Sequence, residues 1–326
     1  MLKPTTAVVL LLISLFQRGI AAIALEPIHS VVTFGDSWSD AGSFGTIYGT
    51  TPGSSWSQLL ARIYGDDQTP FLFAEKGKPI QILGGLNYAQ GGSKTASPAK
   101  QGDADDSIPH SAVVQVRNHL RVSGRFRSDQ LIVLWTGCND ILGPFGNTAE
   151  GPLSADQKLL NSKDGVSSAV YSAAEAGIRK AVEDELALVR TLTNNGAVRI
   201  VVVNIVDLGC QPNTTPAGVT WASRFTTLYN TSLAAGIPRD VRVLLVDANA
   251  ILVQAGHDLI QGFQHVTEDA CANSSAVCGP PDYVERNANE TYMFAGYGHL
   301  TQHTRRLLAN AVSKLINERW PSLPSP

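Results

Sequence analysis

Five short apolar runs punctuate the chain: SVVTFG (30–35), LNYAQ (86–90), LIVLWTG (131–137), VRIVVVNIV (198–206) and VRVLLVDA (241–248). They are rich in β-branched and aromatic residues and predict strands. Helical patterns separate them: SSWSQLLARIYG (54–65), HSAVVQVRNHL (110–120), a long segment over 167–196 and WASRFTTLYNTSLAAGI (221–237). The long one stops at Asn194-Asn195-Gly196, a C-terminal signal. TQHTRRLLANAVSKLINER (301–319) predicts a last helix. Near-continuous apolar strands alternating with helices imply a parallel sheet covered on both faces. Neither a linker-like shift in composition nor an internal repeat divides the chain. The pattern therefore predicts one α/β domain over residues 25–320, with a Pro-rich tail at 321–326.

Residues 1–24 do not fit that alternation. Lys3 supplies a positive start, AVVLLLISLF (7–16) is an apolar stretch short for a bilayer, and GIAAIA (19–24) offers small residues for cleavage. The expectation is a signal peptide, a mature chain from Leu25 and a secreted protein, extracellular or periplasmic; an uncleaved anchor is the competing reading. Cys271 and Cys278, close together in a polar loop, suit a local disulfide and an oxidising compartment. Cys138 and Cys210 each follow an apolar strand and are either a second bridge or two free thiols. Asn213, Asn230, Asn273 and Asn289 begin N-x-[ST] sequons, which matter only in a eukaryotic host.

Composition narrows the partners. With 44% hydrophobic and 16% charged residues the chain can bury a large core. A net charge of −3 without a basic run argues against nucleic acid as a partner.

In such sheets ligands bind beyond the carboxyl ends of the strands, and those ends carry reactive groups. The first strand ends in Gly35-Asp36-Ser37, the second leads into Gly91-Gly92, the third ends in Gly137-Cys138-Asn139-Asp140, and His299 stands just before the last helix. A serine becomes a nucleophile when a neighbouring base, usually histidine, takes its proton. The oxyanion that follows needs fixed donors, and Ser37 N–H, Gly92 N–H and the Asn139 amide would supply three.

These blocks also carry a resemblance. FGDSWSDAG (34–42), NYAQGG (87–92), GCND (137–140) and GHLT (298–301) resemble, in order, the four blocks of the GDSL esterases and lipases, or SGNH hydrolases. The likeness is nearest to the secreted bacterial and autotransporter-type branch. It implies a flavodoxin-like three-layer α/β/α sandwich with a five-stranded parallel sheet. It further implies Ser37 as nucleophile, His299 as general base, and Ser37, Gly92 and Asn139 as the oxyanion hole, with Gly91 the alternative one residue away. The activity implied is hydrolysis of carboxylic esters through an acyl-enzyme, without metal or cofactor. The expected substrate is a small-molecule or lipid ester, with esters at a membrane surface or on a glycan left open, and the expected state is a monomer. A lysophospholipase or lipid acyltransferase of the same family is one alternative; a degenerate hydrolase kept as a binding protein is another.

The sequence departs from the family twice. Trp38 replaces the usual leucine after the nucleophile and would narrow the acyl site. Gly296 stands three residues before His299, where the family has the aspartate that orients the imidazole. The reading is therefore a Ser–His dyad oriented by main chain, with Asp282, Glu285 and Glu290 as the nearest substitute carboxylates. The gap at Gly296 is expected to leave room, so that Gly296→Asp would raise kcat. Simpler readings stand beside these. Ser37 is a turn serine, Asn139 or Asp140 a cap, and His299 a helix-start residue. His299 and His303, four apart, resemble a zinc pair, but Leu300 stands where H-E-x-x-H has its glutamate. Trp56, Leu59 and Leu60 read as a core-facing stripe, while Phe44, Tyr48 and Phe145 either line an acyl pocket or cover the core.

Overall fold

The computed structural model describes residues 25–97, 104, 107–142, 168–212 and 216–321. The expected signal peptide, Asn213 and Phe145 lie outside the described residues. Strand β1 (Ser30–Gly35) and strand β2 (Gln130–Trp135) are buried at every position, as strands covered on both faces must be. They pair in parallel, Ser30 with Gln130 through to Gly35 with Trp135. Strand β3 (Ile200–Val203) adds to β2, and β4 (Val243–Val246) adds to β3, both parallel.

The fifth position of the sheet is filled without a regular strand. Residues 86–90 run beside the free edge of β1. Thr33 N donates to Leu86 O at 3.0 Å, Tyr88 N to Thr33 O at 2.8 Å and Gln90 N to Gly35 O at 3.1 Å. On its other side Asn87 N donates to Thr69 O at 3.0 Å and Phe71 N to Asn87 O at 2.6 Å, while the Asn87 amide turns inward toward Ser39 O, Ser57 Oγ and Gln68 Oε1. The spatial order is then 86–90, β1, β2, β3, β4. The order in chain reverses at β1, and at such a point the loops on either side part and open a crevice.

Helices cover both faces. Helix α1 (Trp56–Ile63) carries a full capping box from Ser55 and Gln58. It buries Trp56 and Leu60, and Leu59 only in part. Helix α2 is Ala112–Ser123, α3 is the short Cys138–Leu142, and α4 is Ser168–Asn194. Helix α5 is Pro216–Gly236, α6 is Ala248–His257 and α7 is Gln302–Arg319. Helix α7 packs on α1 and α6, and α4 packs on α5 and α2, which makes the two outer layers of a three-layer α/β/α sandwich. Helix α6 has no counterpart in the predicted elements. The apolar run read as continuing to Ala248 is cut by Asp247, whose carboxylate accepts the Ala250 N–H and caps the helix. A small parallel pair, β5 (His265–Asp269) and β6 (Tyr292–Phe294), stands outside the main sheet. Among the described residues no helix is long and apolar enough to cross a membrane.

One buried carboxyl lies in the α4–α5 layer. Glu185 is fully buried and accepts the Tyr229 hydroxyl at 2.6 Å. Burial pushes its carboxyl up to about 8, with the charges of Asp140 and Asp36 adding to it and the Tyr229 bond opposing. Its contribution to stability is full below its ordinary value of 4.5 and is lost as pH rises through about 8. Glu185→Gln should therefore melt near the wild-type temperature in acid and about 2–4 °C or more above it in mild alkali. Thermal unfolding followed by circular dichroism measures both, and a gap that does not widen with pH would show a carboxylate ionised throughout.

Candidate active site

Four segments meet at the crevice beside β1. The first is the turn that leaves β1. Asp36 O accepts the N–H groups of Ser39 and Asp40 at 3.0 and 3.1 Å, and Asp36 Oδ1 accepts that of Trp38 at 3.1 Å. This closed turn leaves Ser37 half-buried, at the end of the strand. The strand thus ends on Gly-Asp-Ser because the aspartate folds the turn that presents the serine.

The second segment is the glycine turn. Asp40 Oδ2 accepts the Gly91 N–H at 2.8 Å, while Asp40 Oδ1 holds Gly42 N and Ser43 N. Gly91 N–H is thereby committed, which favours Gly92 over Gly91 as the oxyanion donor. Gly92 sits at φ +81°, in the left-handed region where glycine alone is unstrained. The third segment is the start of α3. Asn139 Nδ2 donates to Ser93 O at 2.9 Å, which ties this side chain to the glycine turn. Asp140 accepts both the N–H and the hydroxyl of Thr95 at 2.8 and 2.9 Å, so it clamps the same turn rather than capping its own helix.

The fourth segment carries the imidazole. His299 Nε2 lies 2.9 Å from Ser37 Oγ, a contact between residues 262 apart in sequence. His299 Nδ1 lies 3.2 Å from Gly296 O. A carbonyl can only accept, so Nδ1 carries the proton and Nε2 presents its lone pair to the serine. The site expected to hold an aspartate is thus served by main chain. The substitute carboxylates are engaged elsewhere: Glu285 accepts the Thr291 hydroxyl, Glu290 pairs with His303 and Arg306, and Asp282 is exposed. The zinc-pair geometry also fails, because α7 begins at Gln302 and His299 lies in the loop before it.

A disulfide-closed loop sets that carbonyl. Cys271 and Cys278 are bonded, with Cα atoms 5.7 Å apart, while Cys138 and Cys210 are free thiols, the first buried and the second exposed. Ser274 and Ser275, inside the closed loop, lie against Gly296. A Cβ added there would stand 2.1 Å from Ser275 O and 2.8 Å from Ser274 C. The room expected beside the imidazole does not exist, because backbone fills it. That is the physical reason position 296 is glycine.

Burial dominates the electrostatics of the site. Burial pushes His299 down to about 4, the Gly296 carbonyl opposes this, and the Arg305 charge adds to it. Asp36 is raised to about 7 by burial and then by the charges of Asp140 and Asp40, against its bond from Trp38 N–H. Asp40 and Asp140 are each raised to about 6, also by burial, with their N–H bonds opposing.

Ser37 and His299 are in direct contact, and Asn139 is joined to the turn that holds Gly92. Asp40 was not assigned a role from sequence and is legible there only as an aspartate shortly after a turn. Tyr48, read from sequence as lining an acyl pocket or covering the core, instead stacks its ring on His299, with centroids 5.1 Å apart and planes at 23°.

A family model described as GDSL-like Lipase/Acylhydrolase matches residues 31–312. Several solved structures are similar. The acetyl xylan esterase AlAXEase is 11% identical, with 87% of this chain and 98% of that one covered and a TM-score of 0.42. LAE5, an alpha/beta hydrolase from the metagenome of Lake Arreo, Spain, is 13% identical, with 93% and 100% covered and a TM-score of 0.41. Axe2, an acetylxylan esterase from Geobacillus stearothermophilus, is 14% identical, with 93% and 100% covered and a TM-score of 0.37. No curated protein matches the chain.

The packing at Gly296 reverses the outcome expected for an aspartate there. Gly296→Asp must displace the Ser274–Ser275 backbone or the carbonyl that holds His299, and a shift of about 1 Å at a reacting group can cost 10²-fold. The rate of Ser37 labelling by a fluorophosphonate should fall by about that factor. An unchanged or faster rate would show that the loop yields and the added carboxylate serves the imidazole.

Proposed function

Because the chain belongs to the GDSL-like lipase/acylhydrolase family, and is thereby an ester-hydrolysing enzyme, we propose that it hydrolyses carboxylic esters through an acyl-enzyme on Ser37. The observation that carries this reading is the 2.9 Å contact of Ser37 Oγ with an imidazole whose far nitrogen is held by a carbonyl. Ser37 Oγ attacks the ester carbonyl carbon while its proton passes to His299 Nε2. The carbonyl oxygen becomes an oxyanion, received by Ser37 N–H, Gly92 N–H and the Asn139 amide. The C–O bond to the alcohol then breaks, and the alcohol leaves with the proton from Nε2. Water repeats the sequence: it gives a proton to Nε2, attacks the acyl carbon, and releases the acid as Ser37 Oγ takes the proton back. The chain's own groups and one water complete the cycle.

The same reading has the protein exported after removal of residues 1–24. What supports it is the apolar, small-residue-ended leader together with the Cys271–Cys278 bond, since disulfides persist in oxidising compartments.

Ser37→Ala should abolish hydrolysis of a short-chain nitrophenyl ester in a protein with unchanged circular dichroism. Equal hydrolysis by the folded variant would remove Ser37 from the chemistry. The neutral imidazole is the base, so kcat/KM should be lost as pH falls through about 4 rather than through the ordinary 6.5. A pH–rate profile between acid and neutral decides this, and a midpoint near 6.5 would mean a solvated imidazole.

A further inference from the structure

The ester-hydrolase reading leaves one problem of charge. When Ser37 gives up its proton His299 becomes an imidazolium, with no carboxylate paired to it among the described residues. Burial and the Arg305 charge both oppose that cation, and the Gly296 carbonyl alone of the groups described so far favours it. Tyr48 faces the same ring. Its plane lies 23° from that of the imidazole, with centroids 5.1 Å apart, within the reach of a cation over an aromatic face.

Tyr48 is fixed at both ends. Behind it, Gly49 N donates to Ala276 O at 2.8 Å, and Gly49 Cα is wedged so that a Cβ would stand 2.3 Å from Leu300 O and 3.0 Å from the Arg305 guanidinium. At the other end the phenol rests on the glycine turn, where a Cβ at Gly91 would lie 2.3 Å from Tyr48 Oη. The ring therefore spans from the glycine turn to the imidazole and touches both. Its hydroxyl stays protonated through the working range, because burial and the Asp40 charge push it up to about 12.

We propose that Tyr48 is a positioning residue for the base: its π face holds the His299 ring in the plane that meets Ser37 and stabilises the imidazolium as it forms. The proposal rests on the Ser37–His299 reading and adds to it the group that compensates in part for the missing carboxylate. An aromatic face is negative over its centre, so it favours the cation over the neutral ring and acts mainly in the transition state. The effect belongs in kcat rather than in KM.

The test is a series at position 48, assayed on a short-chain nitrophenyl ester beside wild type and Ser37→Ala. Tyr48→Phe keeps the face and should hold kcat within about twofold of wild type. Tyr48→pentafluorophenylalanine keeps the shape but reverses the charge of the face. It should lower kcat by roughly three- to thirtyfold, the rate equivalent of a cation–π contact, with KM and melting temperature near those of Tyr48→Phe. Tyr48→Leu should fall at least as far; if it fails to fold, the fluorinated variant still decides. Equal kcat for the phenylalanine and its fluorinated form would reduce Tyr48 to a space-filling wall and overturn the proposal. A phenylalanine variant as slow as the fluorinated one would transfer the role to the hydroxyl, and a loss confined to KM would make Tyr48 a substrate contact; either result overturns it. Equal activity in wild type and Ser37→Ala would instead defeat the underlying reading, whatever the series shows.

Discussion

The site depends on one orientation, that of an imidazole between Gly296 O and Ser37 Oγ. Both contacts are hydrogen bonds of ordinary length, 3.2 and 2.9 Å, and each has only one workable polarity. Because the carbonyl accepts and never donates, it selects the tautomer in which Nε2 is a base. The two partners come from opposite ends of the chain, so the contact exists only if the loop before α7 is held against the turn after β1. Much of the local packing serves that requirement. Strand β6 delivers the loop, and its pairing with β5 is extended by Ala270 N and Cys271 N, which donate to Phe294 O and Ala295 O. The disulfide-closed loop then folds Ser274 and Ser275 over Gly296 before Val277 and Cys278 pair with Gly49 and Thr50. Arg305, buried on α7, donates to Thr50 O, Ser54 O and Thr301 O and ties the start of α7 to the 50–54 segment.

A second set of contacts holds the oxyanion side. Asp36 and Asp40 are buried and Asp140 is partly buried, and all three carboxylates clamp main-chain N–H groups. Burial raises all three, and the N–H bonds they accept are what limit the rise. An aspartate is suited to this work because its two oxygens can collect several donors of one turn: Asp40 takes Gly42, Ser43 and Gly91 together. The turn after β1 and the glycine turn are thereby fixed by these three aspartate side chains.

Much of this was legible in the sequence, for reasons that differ by element. Strands β1 and β2 were plain because a strand buried on both faces is apolar at nearly every position. Ser37 and Asn139 were singled out because they follow apolar runs, and His299 because it precedes the last helix; the structure brings Ser37 and His299 into contact. The 86–90 segment was read as a strand and does lie beside β1, but the Asn87 amide inside it is buried and bonds to Ser39 O and Gln68 Oε1 off the ladder, which the sequence reading did not anticipate. Other features carried no local signal. Tyr48 belongs to no periodic segment, and its place against His299 and Gly91 follows from contacts across the chain. The filled space beside Gly296 likewise depends on Ser274 and Ser275, residues that only the disulfide-closed loop brings there. A glycine where an acid was expected looked like a vacancy, when it marks a close approach.

That close approach also explains why the acid cannot simply return. Ser275 O stands where the Cβ of a residue 296 side chain would begin, and a carboxylate there would face the negative end of a carbonyl dipole. Repulsion between the two oxygens would add to the steric conflict. In Ser-His-Asp enzymes disabling the acid costs about 10⁴ in kcat, so a dyad without compensation would be a slow catalyst. Here the loop that excludes the acid is the one that fixes the carbonyl in its place, and its pairing with Gly49 and Thr50 sets the backbone on which Tyr48 stands. A single packing arrangement thus removes one partner of the imidazole and positions two others. The carbonyl dipole is aligned with Nδ1–H, and the aromatic face covers the ring. Neither carries a net charge to be desolvated, which suits a site whose carboxylates are already driven toward neutrality by burial.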